Sequence, residues 1–518
     1  MRLSFLVFQK ISVKPRRALR RGAPILPAPA PFSAFFLEKI PPVRYNGDCP
    51  DAGNVVGYRG DVKEPMKELG LFEKSFWRVL LPLALPIALQ NLLMTSFRLV
   101  DTLMIGRLGD LSIAAVGLAG QVSFLVELIG FGLSSGSAVF IAQYHGAGNL
   151  DGIRRTYGAT ILFGLPVGLL ATCAAFVFPE EIMGLLTNEQ PLIEEGARYL
   201  RYACFSYAAL TVYQSLCTTL RSTEQVRLPL ISSGVCAAAN AVLNYLFIFG
   251  GLGIAPMGVA GAGLATAITS VMNPAIILVV SFIQRNILIA PLKKLLALRG
   301  FFLTYWKRVL PVLFNELLWS LSIVGLNMVF GRMGTENYAA LTVMRTIENI
   351  VFVFFVGICN ACNILVGKHI GAGDIELGKR YAKRFLCLVP VFGLVLGTLV
   401  VLLRTPVLSL FDISEAARSM ASAMLLVYAV DVSIRNIPYL CVVGIFRAGG
   451  DTRTGLIGDA SVQYFLVLPA VYLCGLVLEV PFLWTFVISL AVDDVGKLAI
   501  FLPRFLSMKW IQPVNAKQ

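Results

Sequence analysis

The sequence predicts an all-α integral membrane protein, with twelve transmembrane helices in two six-helix lobes related by a pseudo-two-fold axis along the membrane normal. Three observations predict it. The chain is 57% hydrophobic and 14% charged, with a mean hydropathy of +0.76, whereas a soluble domain carries about 25% charged residues. Apolar runs of the roughly 20 residues needed to cross a bilayer recur from Phe76 to Met508. The chain also repeats itself. Pro86 and Pro311 lie 225 residues apart, and the same step carries Gly106-Arg107-Leu108-Gly109 onto Gly331-Arg332-Met333-Gly334. It carries Gly146-Ala147-Gly148 onto Gly371-Ala372-Gly373 and Gly168 onto Gly393, and at a step of 226 Arg221 and Arg227 meet Arg447 and Arg453.

The spans follow in order. The first set is expected near 77–105, 113–144, 156–178, 192–220, 228–250 and 256–284, and the second near 306–330, 338–369, 380–404, 416–446, 455–476 and 481–507. Loop charge sets their orientation. Segments after even-numbered spans hold seventeen Lys and Arg, and segments after odd-numbered spans hold six. The loop between spans three and four is acidic, with Glu180, Glu181, Glu189, Glu194 and Glu195. Basic residues collect in the cytoplasm, so both termini are expected there, in a multi-pass protein of the cell inner (plasma) membrane. Six spans per half give the halves one orientation, as in parallel repeats. The expected divisions are a basic, Pro-rich extension over 1–65, an N-lobe over 66–284, a cytoplasmic linker over 285–305, a C-lobe over 306–508 and a cytoplasmic tail over 509–518.

The extension differs from the rest. It holds Arg16-Arg17, Arg20-Arg21 and a Pro/Ala stretch from Pro24 to Pro31, and its apolar run Leu3–Phe8 is too short for a signal peptide. It reads as a disordered tail or as sequence upstream of the natural start. Met66-Lys67 with Leu69 and Phe72 looks like that start, an expectation N-terminal sequencing would check. The net charge of +14 calls for no nucleic acid: the extension supplies +6 of it, and basic loops facing anionic lipid head groups account for most of the remainder. Of the ten Cys, nine lie in or beside apolar spans, and Cys359-x-x-Cys362 reads as small helix-packing residues rather than a metal or redox pair.

Ionisable groups at membrane depth are costly and point to function. Asp101 is the sharpest case, late in span one and fifteen residues after Pro86, a helix-hinge candidate. A carboxylate in a low-dielectric cavity is a natural proton carrier; the alternative is an ion pair with Arg98 on the same face. Asn240 and Asn244 lie one turn apart on span five and form either a cavity cluster or interhelical glue, with Thr266 of span six a possible third member. In span seven Glu316 follows the second hinge candidate, Pro311, with Trp319 beside it to hold an organic cation. Its repeat mate is Asn91, and Glu127 of span two falls on Phe352. Glu348 with Arg345, Asp431 with Arg435 and Asp494 with Lys497 read as ion pairs between helix turns. His145 and His369 stand at helix ends before Gly-Ala-Gly, with no phosphate-loop or zinc motif around them.

At these residues the chain resembles the multidrug and toxic compound extrusion (MATE) family, over about 77–507. The stretch from Val100 to Gly109 is similar to the family's span-one ending. Leu220-Arg221-Ser222-Thr223 and the run from Phe446 to Arg453 resemble the loop after the fourth span of each lobe. Asn240, Leu243-Asn244-Tyr245 and the run from Gly258 to Ala262 resemble its fifth and sixth spans. The resemblance implies two lobes around a V-shaped cavity, alternating access, no cofactor, and antiport of H⁺ or Na⁺ against small organic, often cationic, compounds by a monomer in contact with lipids. In the bacterial DinF-like branch an acid on span one takes the proton and the helix bends at a proline, which Asp101 and Pro86 match. That branch also uses an Asn and an Asp on span five; Asn240 matches the first, but Asn244 stands in place of the acid. NorM-like members use an acid on span seven, where Glu316 lies.

The residues leave four readings, the last of them a non-transporting membrane receptor or scaffold. The first is an ion-coupled efflux antiporter, as expected of a duplicated bundle with its site between the copies. A flippase for lipid-linked sugar precursors would want a basic cavity. A membrane-embedded enzyme would want a His or metal constellation, and no Ser-His-Asp set or Walker motif can be assembled from this sequence. The two copies agree at prolines, turn glycines and loop arginines and disagree at Asp101 with Leu326, Asn91 with Glu316, and Glu127 with Phe352, so the disagreements are where ion and solute are expected.

Overall fold

The computed structural model describes residues 74–514 apart from Leu252 and Asp412. The extension, with the expected start near Met66, lies outside the described residues. Among those residues the chain is helical, with two isolated β-bridges. The first half holds α1 (Lys74–Gly106), α2 (Asp110–Gly146), α3 (Leu150–Val177), the short α4 (Pro179–Leu186), α5 (Gln190–Ala203), α6 (Phe205–Ser222), α7 (Arg227–Phe249) and α8 (Val259–Gln284). After α9 (Leu292–Leu295), the second half holds α10 (Phe302–Arg332), α11 (Thr335–Gly371), α12 (Ile375–Leu408), α13 (Glu415–Gly449), α14 (Thr452–Val477) and α15 (Phe482–Leu506).

Ten of these helices are long and apolar enough to cross a membrane. The two remaining expected spans are helical but different in kind. Span four is split at Cys204 into α5 and α6, and α15 carries Asp493, Asp494, Lys497 and Arg504. Outward-facing Leu170, Phe282, Leu402 and Phe465 are each at least 70% exposed. In water they would be an aggregation liability, whereas hydrocarbon is their natural solvent.

The repeat is built into local geometry. Gly148 and Gly373 hold φ of +69° and +84° at matching turns, a conformation that favours glycine. The next residues, Asn149 and Asp374, then cap α3 and α12 by accepting from the backbone N–H of Gly152 and Leu377. The copies part in their last helices. α13 contains a π-helical turn over Leu440–Phe446, directly after Pro438, and α14 contains two, over Gln463–Val467 and Leu473–Val477. The N-lobe stretches matching the first two of these turns are regular α-helix, within α6 and α7. A proline removes one backbone donor, and a π-turn is one way for the ladder to reroute.

The lobes meet through α1 with α11, α2 with α10, and α2 with α11. Glycines make this seam, as paired positions. Gly132 lies against Leu313 and its repeat mate Gly357 against Ala88; Gly146 lies against the Lys368 carbonyl and its mate Gly371 against the Gln143 carbonyl. At that same end Lys368 pairs with Glu224 at 2.7 Å, and Gln143 donates to the Ala448 carbonyl at 2.8 Å. Residues 509–514 fold back onto it. Trp510 is fully buried, Gln512 N–H donates to the Gly449 carbonyl at 2.7 Å, and Val514 N–H donates to Gln143 Oε1 at 2.7 Å.

Two expected ion pairs are replaced. Lys497 bonds Asp459 at 2.7 Å and Asp493 at 2.9 Å rather than Asp494. Glu348 pairs with Arg435 at 3.1 Å while Arg345 donates to Asn327. The partners are acids or bases of neighbouring helices, with Asp493, one turn back on α15, also holding Lys497. Asp431 does meet Arg435, at 3.8 Å. Cys359 and Cys362 are buried free thiols.

Candidate functional site

Span one supplies the first functional side chains. α1 runs unbroken through Pro82 and Pro86 and presents Arg98 and Asp101 to a cavity of about 400 Å³ within the N-lobe. α2 adds Glu127, α7 adds Asn240 and Asn244, and α8 adds Thr266 and Thr269. The i, i+4 spacing on α7 is what lets its two amides touch: Asn244 Nδ2 donates to Asn240 Oδ1 at 3.0 Å. Asn244 Nδ2 also donates to Asp101 Oδ1 at 2.5 Å. Asn240 Nδ2 in turn donates to Thr269 Oγ1 at 3.3 Å, and Thr269 Oγ1 donates to the Ala265 carbonyl at 2.9 Å. A bonded chain thus runs from Thr269 through both amides to the carboxylate. The chain ties α1, α7 and α8 together, with Asn244 donating to both Asp101 and Asn240.

Arg98 does not pair with Asp101. Both Glu127 oxygens accept from its Nη2, at 2.6 and 2.7 Å. Arg98 and Glu127 form a wall shared with a second, smaller cavity of about 190 Å³, which reaches Asn91 and Gln214 of the N-lobe and Asn360 and Asn363 of α11. Beside it lies a polar knot that the sequence reading missed. Gln90, 1% exposed, donates to Tyr213 at 2.6 Å and to Ser233 at 2.9 Å and accepts from Arg221 at 2.7 Å. The amide pair Gln90-Asn91 in an apolar span was the available signal.

Asp101, Asn240, Asn244, Thr266 and Glu127 are therefore brought together, with Asn91 next door. Glu316 and Trp319 line neither cavity. Glu316 accepts from Arg447 Nη2 at 2.6 Å, the pair being 12% and 2% exposed, and Arg447 Nη1 reaches across the seam to Ser135 at 2.5 Å. Trp319 is 40% exposed. Removing one partner of a buried pair costs about 3–5 kcal/mol, whereas exposed pairs contribute about 0–1 kcal/mol. Glu316→Gln is therefore expected to lower the unfolding temperature in detergent clearly more than Glu127→Gln. Equal shifts would show that the Arg447 pair carries no such weight.

Residues 86–246 and 311–473 each match the MatE family model, so the one pattern fits twice, at the 225-residue step of the repeat. The chain belongs to the MatE family. Relatives include the probable multidrug resistance protein NorM of Thermotoga maritima, 24% identical over 446 residues, covering 83% of this chain and 92% of the relative. The probable multidrug resistance protein YoeA of Bacillus subtilis is 25% identical over 369 residues, covering 70% and 80%. Among solved structures, the MATE transporter VcmN of Vibrio cholerae superposes with a TM-score of 0.77 at 20% identity, over 85% of this chain and 98% of that one. The backbone of a MatE transporter is thus shared at low identity, and membership makes this chain a membrane transporter rather than an enzyme.

Proposed function

We propose that this protein exports small organic compounds by antiport against H⁺ or Na⁺, with twelve spans and both termini in the cytoplasm of a bacterial inner membrane. One observation carries the reading: the only acid in the amide chain of the N-lobe cavity, Asp101, sits on the helix that carries Pro82 and Pro86. Ionised, Asp101 accepts from Asn244. Once it takes a proton it gains an O–H donor, keeps an acceptor oxygen and loses its charge, so the bond from Asn244 weakens. The prolines lie one turn apart, and each withholds a backbone donor, so α1 is weakest around them, where it packs on α11 at Ala84 and Ala88. A bend there reshapes the wall that holds Arg98 and Glu127. The glycine seam at Gly146 and Gly371 is read as the closed cytoplasmic end, since the basic loops lie there. An ion can drive the cycle only through different affinities for the two states, and the Asp101–Asn244 bond is such a difference. Glu316, held by Arg447, acts in this reading as a brace of the C-lobe.

The test is transport in proteoliposomes, with pH and Na⁺ gradients imposed separately. Uptake of fluorescent organic solutes driven by one gradient is the expected result. A panel of such solutes left unmoved by either gradient would sink the proposal. The family match does not favour the precursor-flippase reading.

A further inference from the structure

The repeat closes the seam end twice, and in two different ways. Lys368 of α11 is the mate of Gln143 of α2 at the 225-residue step. Gly450 is the mate of Glu224 at the 226-residue step that joins Arg221 to Arg447. Glu224 and Gly450 hold matching left-handed backbone, with φ of +65° and +92°. On one side Lys368 reaches across the lobes to Glu224 at 2.7 Å. On the other, a glycine stands where that acid would be, and the next acid, Asp451, is held by Arg504 at 2.7 Å.

The tail fills the vacant side. Ile511 forms a β-bridge with Gly450, and Gln512 N–H donates to the Gly449 carbonyl at 2.7 Å. A Cβ on Gly450 would lie 2.6 Å from the Gln512 carbonyl oxygen, so only glycine leaves room for the tail. Arg308 of α10 donates to the Gly450 and Gln512 carbonyls, each at 3.0 Å. Trp510 is the anchor. It is fully buried, stacks on Phe505 with ring centroids 6.2 Å apart, and donates to the Phe505 carbonyl at 3.2 Å.

Val514 is the tip. Its N–H donates to Gln143 Oε1 at 2.7 Å, while Gln143 Nε2 donates to the Ala448 carbonyl at 2.8 Å. Both faces of the Gln143 amide are thus bonded to the other half of the chain. The apolar side chains divide in the same way. Ile511 packs on the core cluster that holds Phe446 and Phe501, and Val514 on the one that holds Phe140, Tyr144 and Leu220. Pro513 fixes φ between the two N–H donors and so sets the angle of the tip.

We propose that residues 509–514 are a latch on this gate. Trp510 keeps the segment on the C-lobe, and Val514 lets go of Gln143 whenever the lobes part at this end. The tail thereby does for Gln143 what Glu224 does for Lys368, and it biases the solute-free protein toward the state closed here. The proposal takes its two states, and the cytoplasmic place of this end, from the efflux reading above.

The test reads the gate without solute or gradient. Spin labels on the ends of α2 and α11 report the distance across it in the purified protein in nanodiscs. Ending the chain after Pro513 removes the tip and keeps the anchor. Val514→Pro removes the N–H donor and keeps an apolar side chain. The ratio of long-distance to short-distance populations is expected to rise about tenfold in the shortened chain and about fivefold in Val514→Pro. The unfolding temperature should stay within about 2 °C of the unsubstituted protein, because Trp510 remains in place. An unchanged distance distribution in both variants overturns the latch. So does a lowered unfolding temperature with no long-distance population, the mark of plain packing. A shifted distribution in a protein that moves no solute under either gradient keeps the latch and sinks only the efflux reading.

Discussion

Asp101→Asn is expected to reduce gradient-driven efflux to the level of protein-free liposomes while the protein still folds. The amide is isosteric and can still meet Asn244, so the unfolding temperature should stay within about 2 °C of the unsubstituted protein. What it cannot do is gain and lose a proton or neutralise a cation. The bonded chain from Asp101 through Asn244 and Asn240 to Thr269 is then fixed in one pattern, and the two states of the carrier no longer differ in their affinity for the ion. Solute binding to the purified variant should persist, which separates loss of coupling from loss of the cavity. Full transport by a well-folded Asp101→Asn variant under the same gradient would remove Asp101 from the mechanism. The same substitution in a pure Na⁺ gradient and in a pure pH gradient would show which ion the residue serves.

Gly146→Val is expected to stop transport by a different route. A Cβ on Gly146 would lie 1.8 Å from the Lys368 carbonyl oxygen, and one on Gly371 would lie 1.9 Å from that of Gln143. Both obstacles are backbone, which cannot turn aside as a side chain can. α2 and α11 would have to separate, taking with them the Lys368–Glu224 pair and the bond from Gln143 to Ala448. Spin labels on the two helix ends should report a longer distance, and efflux should fall to background with solute binding retained. Gly117→Ala on the same helix, where a Cβ meets nothing within 4 Å, is the control and should behave as the unsubstituted protein. An unchanged distance and unchanged efflux in Gly146→Val would show that this close approach is no part of a working state.

Much of the site was readable because it depends on short-range spacing. Asn240 and Asn244 had to share a face, and they bond at 3.0 Å. Asp101 was singled out by its depth in an apolar run, and it does reach that amide pair. The matching turn glycines and caps follow from local backbone geometry, which the residues dictate directly. Partners across helices were less legible. Arg98 was the alternative partner expected for Asp101, yet it binds Glu127 on the next helix. Glu316 looked like an open acid and is bound to Arg447, 131 residues on. The Arg221–Gln90 knot had no signal beyond a few polar letters in apolar text.

The sequence by itself determined the helical membrane class, the duplication, the turns between repeated helices and the place of Asp101 deep in span one. Each of these rests on composition or on spacings shorter than a helix turn or two, repeated at one fixed step. Tertiary structure alone decided which charges neutralise each other, which cavity Asp101 shares, and where the lobes touch. Those outcomes depend on the rotation and crossing of helices, set by how closely backbones approach at Gly132, Gly146, Gly357 and Gly371. A partner within 3 Å across such a crossing is fixed by packing, not by distance along the chain.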